Sequence, residues 1–187
     1  NLANISAKFR FHGLPAHAAA APERGRSALD GVEAMNVMVN YMREHVPQDT
    51  RIHYIITNGG AAPNIVPEFA ESYYVVRHPD PRVAADVFDR VKKAAEGAAL
   101  GTGTKMDFEL IGGDYSILPN DTLGKIMDAN LRRVGAPQWT AAEKAFAEKL
   151  RTTLVGNNLP PVSSAQEIQR YRVNGQKYAS TDSGDVS

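Results

Sequence analysis

The period of the apolar residues changes along this chain in a definite order, and that order constrains the fold more than any motif does. Residues 4–12 alternate, with Ile5, Ala7, Phe9 and Phe11 on one side and Ser6, Lys8, Arg10 and His12 on the other, the pattern of a half-buried strand. Ala28, Val32, Met35, Val39 and Met42 then recur at helical spacing, with Ser27 as cap and Pro47 as stop. Residues 51–57 alternate again, with Ile52, Tyr54 and Ile56 on one face. Residues 68–78 do the same, with Phe69, Tyr73 and Val75 on the side of Arg77. Asp80-Pro81 starts a second helix, because a side-chain acceptor is followed by a residue with no amide donor. Its stripe is Val83, Val87, Val91, Ala94 and Ala98, and Gly97, Gly101 and Gly103 are expected to stop it. Residues 104–111 make a fourth strand, with Met106, Phe108 and Leu110 inward.

This β-α-β-β-α-β order predicts an α+β, ferredoxin-like domain: a four-stranded antiparallel sheet with two helices on one face. The other face, or an edge strand, is left to solvent or to a partner. Gly112-Gly113-Asp114 and Pro119-Asn120 mark a boundary, so residues 1–113 are expected as one domain and 114–187 as a separate segment. That segment is expected to hold helices at 121–134 and 140–154, the second opened by the capping box of Thr140 and Glu143. The tail, 155–187, has no apolar stripe and the composition of a segment disordered in isolation.

Among the 187 residues, 21 Lys+Arg balance 21 Asp+Glu, which weighs against nucleic acid or an anionic membrane as a main partner. An RNA-binding sheet is disfavoured further by the lack of aromatic RNP signatures. With no cysteine there is no disulfide, thiolate metal site or Cys nucleophile, and the composition fits a cytoplasmic protein. No run of about 18 apolar residues is present to span a membrane. The start at Asn1, running straight into a strand, reads as a cut inside a longer protein.

Three residues stand out chemically. His17 lies in the loop Gly13-Leu14-Pro15-Ala16-His17-Ala18-Ala19, among small residues. A histidine so placed can donate to a developing oxyanion or move a proton near neutrality, or it is a solvated loop histidine. Asn64, in Pro63-Asn64-Ile65-Val66-Pro67, can both donate to and accept from a substrate amide or carboxylate, or it is ordinary turn chemistry. Arg77 at a strand end offers bidentate binding to a carboxylate, or pairs with a local acid. His12, His53 and His78 are candidates for metal ligation, but His12 and His17 lack helical ligand spacing and a carboxylate in register, so no zinc site is expected from this chain alone. No serine lies in a nucleophile elbow, and Gly101-Thr102-Gly103 is too short for a phosphate loop. Asp182 and Asp185, in Thr181-Asp182-Ser183-Gly184-Asp185, suit either a metal site or a solvated tail.

Taken together, Gly13-x-x-Ala16-His17-Ala18, Pro22, Gly25-x-Ser27-Ala28-Leu29-Asp30, Gly59-Gly60-x-x-x-Asn64-Ile65-Val66-Pro67 and Arg77 resemble the lid (dimerisation) domain of the dizinc aminoacylase/carboxypeptidase family. The resemblance covers roughly residues 4–112, and the tail Ala179–Ser187 is similar to a segment of the catalytic domain in one subgroup. It implies a lid inserted in a catalytic domain and paired with the lid of a second subunit. His17 would reach the partner's active site and help hold the tetrahedral oxyanion, and Asn64 and Arg77 would contact the substrate's carboxylate end. The reaction implied is amide hydrolysis of an N-acyl amino acid by metal-activated water, with aminobenzoyl-glutamate the favoured substrate. Zinc or another divalent metal and the Glu general base would belong to the full-length enzyme; no cofactor is expected in this chain, which by itself should be inactive. The partners implied are a second copy, as a homodimer through the lid, and a paralogous second subunit.

The β-α-β-β-α-β order equally fits a non-catalytic ferredoxin-like module for oligomerisation or small-ligand binding, since fold alone does not choose a function. The combination of His17 with Asn64 and Arg77 favours the lid, because a sensor has no need of a histidine in a long glycine-proline loop.

Overall fold

The first alternating run becomes β1 (Ala3–His12), which buries Ala7, Phe9 and Phe11 on one face. In the computed structural model of the chain, residues 1–154, 156, 158–172 and 179–187 are described. After β1 come α1 (Ala28–Met42), β2 (Arg51–Asn58), β3 (Phe69–His78), α2 (Pro81–Thr102), β4 (Lys105–Asp114), α3 (Asp121–Val134) and α4 (Ala141–Arg151). The four strands form one antiparallel sheet in the order β2-β3-β1-β4. This is the expected α+β, ferredoxin-like arrangement.

α1 and α2 pack on one face of the sheet. The Ser27 hydroxyl accepts from Asp30 N at 3.1 Å and Asp80 Oδ1 from Arg82 N at 2.8 Å, so both caps act as the sequence indicates. The core between helices and sheet is built on Phe9, Phe11, Val32, Met35, Val39, Tyr74, Val76 and Val91, all fully buried. The Phe9 and Tyr74 rings meet edge to face with centroids 5.7 Å apart. The buried Tyr74 hydroxyl donates to Asn36 Oδ1 on α1, which satisfies a polar group inside the core.

Two boundaries differ from those expected. α2 passes through Gly97 and Gly101 and stops only at Gly103, whose φ of +67° is the left-handed cap glycine favours. The alanines around Gly97 keep the helix going, and a Cβ at Gly97 would lie 3.2 Å from Met38 Cε, so that glycine serves the approach of α1 instead. β4 runs on to Asp114, because Gly112 and Gly113 pair with Ser6 and Ile5 past a bulge at Ser6/Ala7.

The opposite face of the sheet has no helix over it and carries charge. Glu71, only 8% exposed, is paired with Lys8 and with Arg10, each at 3.0 Å, and accepts from the Thr57 hydroxyl at 2.8 Å. Arg10 also pairs with Glu109, and His12 with Asp107 at 2.7 Å.

The chain divides into two compact units, Asn1–Leu118 with Gln176–Ser187, and Pro119–Gly175, whereas the sequence places the boundary at residue 113. In the second unit Asn120 caps α3 and the Thr140–Glu143 capping box opens α4, which ends at Arg151 rather than at 154. The Tyr171 hydroxyl donates to Asp121 Oδ1, and Gln166 Nε2 to the Pro137 carbonyl at 2.8 Å. The tail, expected to be irregular, contains short 3-10 helices at Val162–Gln166 and Asp182–Val186; Val155, Asn157 and residues 173–178 lie outside the described residues. Among the described residues no helix is long and apolar enough to cross a membrane.

Candidate functional site

The loops after β1 and β2 are laced to each other. Ala18 N donates to the Asn64 carbonyl at 3.0 Å and Val66 N to the Ala16 carbonyl at 2.9 Å, which makes His17 and Ile65 an antiparallel bridge pair. Leu14 and Arg26 form a second bridge, and Gly13 N donates to Glu68 O at 2.8 Å. Two glycines are needed here for different reasons. A Cβ on Gly13 would lie 2.0 Å from the Arg26 carbonyl oxygen, and Gly60 has a φ of +108°.

His17 is exposed on this platform. Its Nδ1 accepts from the backbone amides of Ala19 and Ala20, each at 3.2 Å. A ring nitrogen that accepts carries no proton, so the neutral imidazole bears its proton on Nε2, on the far side of the ring. A fixed tautomer with a donor turned outward is what an oxyanion contact needs. Asn64 is also exposed, and its side-chain amide has no hydrogen bond among the described residues.

Arg77 lies elsewhere. It is near the end of β3, opposite Asn4, whereas β3 begins at Phe69 opposite His12. At about 3.3 Å per residue, those eight steps put Arg77 about 26 Å along the sheet from the His17 loop. The structure thus brings His17 and Asn64 together and sets Arg77 apart from both. Arg77 Nη1 donates to Ser180 Oγ at 2.9 Å, and Ser180 Oγ to the Leu2 carbonyl at 2.8 Å. Leu2 N completes this clasp by donating to Ala179 O at 2.7 Å. Sequence reasoning missed Ser180 as a partner of Arg77, since a contact between residues 103 positions apart has no local signature.

The other singled-out groups are structural. His78-Pro79-Asp80 has a His-x-Asp spacing that reasoning from sequence passed over, but Asp80 caps α2 and its backbone N donates to His78 Nδ1 at 2.9 Å. Asp185 Oδ1 accepts from Tyr115 N at 2.8 Å. Among the described residues no group of three or more His, Asp or Glu is placed to hold a metal ion, so the chain offers no donor set for zinc.

Residues 3–102 match the family model of the peptidase dimerisation domain. The chain belongs to this family. The match takes in β1 through α2, and with them His17, Asn64 and Arg77. Among its relatives, the dimerisation domain is 44% identical to one of the subunits of the p-aminobenzoyl-glutamate hydrolase of Escherichia coli, over 84% of this chain and 33% of that protein. It is 32% identical to the mouse Xaa-Arg dipeptidase over 67% of this chain and 30% of that protein. The chain therefore spans about a third of the length of the curated relatives it matches. Its fold is shared with the aminobenzoyl-glutamate utilization protein of Klebsiella pneumoniae, at a TM-score of 0.60 and 21% identity over 71% of this chain and 34% of that one.

Proposed function

We propose that the chain is the lid and dimer-forming part of a hydrolase that cleaves the amide bond of an N-acyl amino acid, aminobenzoyl-glutamate first among them. The observation that carries this reading is the His17 platform: an exposed histidine with its tautomer held by two backbone amides, laced to the loop of Asn64. The Nε2 proton would donate to the oxyanion of the tetrahedral intermediate, and the Asn64 amide would hold the substrate beside it. Arg77 would bind the substrate's carboxylate. Since Arg77 is about 26 Å from the His17 loop within one chain, one substrate meets all three residues only where two copies join, with His17 and Asn64 from one and Arg77 from the other.

The second copy is given a surface by the edge strand β2 and by α1, where Val37, Tyr41, Ile55 and Ile56 are exposed. A homodimer through this edge is the arrangement proposed. Two Escherichia coli relatives are named as different subunits of one hydrolase, which supports a paralogous subunit as an alternative partner. Zinc or another divalent metal, with the general base, would be held outside these 187 residues, in a cytoplasmic full-length enzyme. The isolated chain would then be inactive.

In the full-length enzyme, His17→Ala should lower kcat by about a hundredfold or more with KM little changed, the loss of one oxyanion donor. Steady-state kinetics on aminobenzoyl-glutamate measures it, and an unchanged kcat would remove His17 from the mechanism.

A further inference from the structure

The Arg77 end of the sheet concentrates more positive charge than one carboxylate requires. Arg77 on β3 stands directly opposite Arg51 on β2, both on the face without helices. Like charges directly opposed across two strands are destabilising, so this register carries an electrostatic cost that an anion would relieve. His53 follows Arg51 on the same face; burial, then the charges of Arg77, Arg43 and Arg51, hold its imidazole below the ordinary histidine value. The local field is therefore positive even before His53 takes a proton.

Beside these residues is a cavity of about 470 Å³ whose lining includes Arg43, Gln48, Thr50, Arg51 and His53. Thr50, 8% exposed, lines it with a hydroxyl that is buried and has no hydrogen-bond partner among the described residues. Arg77 Nε is buried and unpartnered in the same way. Buried polar groups are nearly always satisfied, and two such donors at one corner point to an acceptor that completes them. The guanidinium groups that line the cavity are held in place. Arg43 Nη1 donates to Ile52 O at 2.7 Å, and Arg51 Nη1 to Gln48 O and Thr50 O, each at 2.8 Å. Asp49, in the same turn, is already engaged.

We infer that this corner is a subsite for a second negative charge: with one substrate carboxylate on Arg77, the cavity of Thr50, Arg51 and His53 takes the side-chain carboxylate of an acidic amino acid. The inference rests on the reading of Arg77 given above. It narrows the substrate class to N-acyl dicarboxylic amino acids and assigns their preference to β2, a strand that carries none of His17, Asn64 and Arg77.

The test uses two small probes that differ only in that charge, N-acetylglutamate and N-acetylglutamine, titrated into the 187-residue chain and followed through backbone amide and imidazole NMR signals. N-acetylglutamate should bind about tenfold more tightly, the worth of one charge-assisted hydrogen bond. Its addition should move the His53 resonances, and Arg51→Gln or His53→Gln should bring its affinity down to that of N-acetylglutamine. Both positions are exposed, and the amide spectrum of each variant reports whether it is folded. Equal binding of the two probes, no binding of N-acetylglutamate, or a preference that survives both substitutions would overturn the inference. If instead Arg77→Gln leaves N-acetylglutamate binding intact, it is the role of Arg77 that fails.

Discussion

Gly13 has no room for a side chain, and the reason is the backbone of Arg26 rather than any unusual torsion. Gly13→Ala should cost about 1–3 kcal/mol, because the Arg26 strand must shift to admit a methyl group; urea denaturation measures it. Glu71 presents a different kind of crowding. Burial pushes its carboxyl up, but the Thr57 hydroxyl, Arg10 and Lys8 more than offset this and hold it below the ordinary glutamate value of 4.5. A carboxyl depressed on folding adds stability that is complete above its unfolded value and lost as pH falls through the folded one. Glu71→Gln should therefore flatten the decline in stability below about pH 4.5, as read by denaturant melts at a series of pH values. His17 is visible in sequence as a loop histidine among small residues. Its tautomer is not, because that depends on where two neighbouring amides point. Glu71 leaves no sequence signal at all: alternation marks it as facing away from the core, and only cross-strand partners bury it there.

Between elements, the Tyr74 hydroxyl joins β3 to α1 through Asn36. Tyr74→Phe leaves the Asn36 amide oxygen buried without that donor and should cost about 1–2 kcal/mol in thermal or urea unfolding, with the backbone unchanged. Strands and helices are legible because each buries one face, and a buried face imposes its period on the residues. Their ends are less so. α2 outruns two glycines because those positions serve packing and helix continuity, and β4 gains residues through a bulge that no local pattern announces. α3 and α4 keep the amphipathic stripes that identify them, yet Leu123, Met127, Leu131, Phe146 and Leu150 are all exposed.

For the whole molecule, the decisive distance is the one between Arg77 and the His17 loop. If active sites form between two copies, full-length His17→Ala and Arg77→Ala should each be inactive alone and complement when mixed. Random pairing makes about half the dimers mixed, with one intact site each, so about a quarter of wild-type activity should return. No recovery would place both residues in the same copy's site. The 187-residue chain should sediment as a dimer at tens of micromolar, and Tyr41→Glu with Ile55→Lys should make it a monomer. Sequence names all three residues but not their separation, which follows from the pairing of β1 with β3 and from the end of β3 at which each lies.

β1 begins and β4 ends at one place, with Asn4 opposite Asp114 and the two side chains hydrogen-bonded. Two adjacent strands at one end of a stiff sheet make a narrow pivot, and His17 rides at the other end. A rotation of about ten degrees there carries a point about 26 Å away through about 4 Å, more than the length of a hydrogen bond. Leverage of this size means that the angle at Asn4 and Asp114 governs whether the His17 proton reaches its acceptor, although neither residue comes near the reacting atoms.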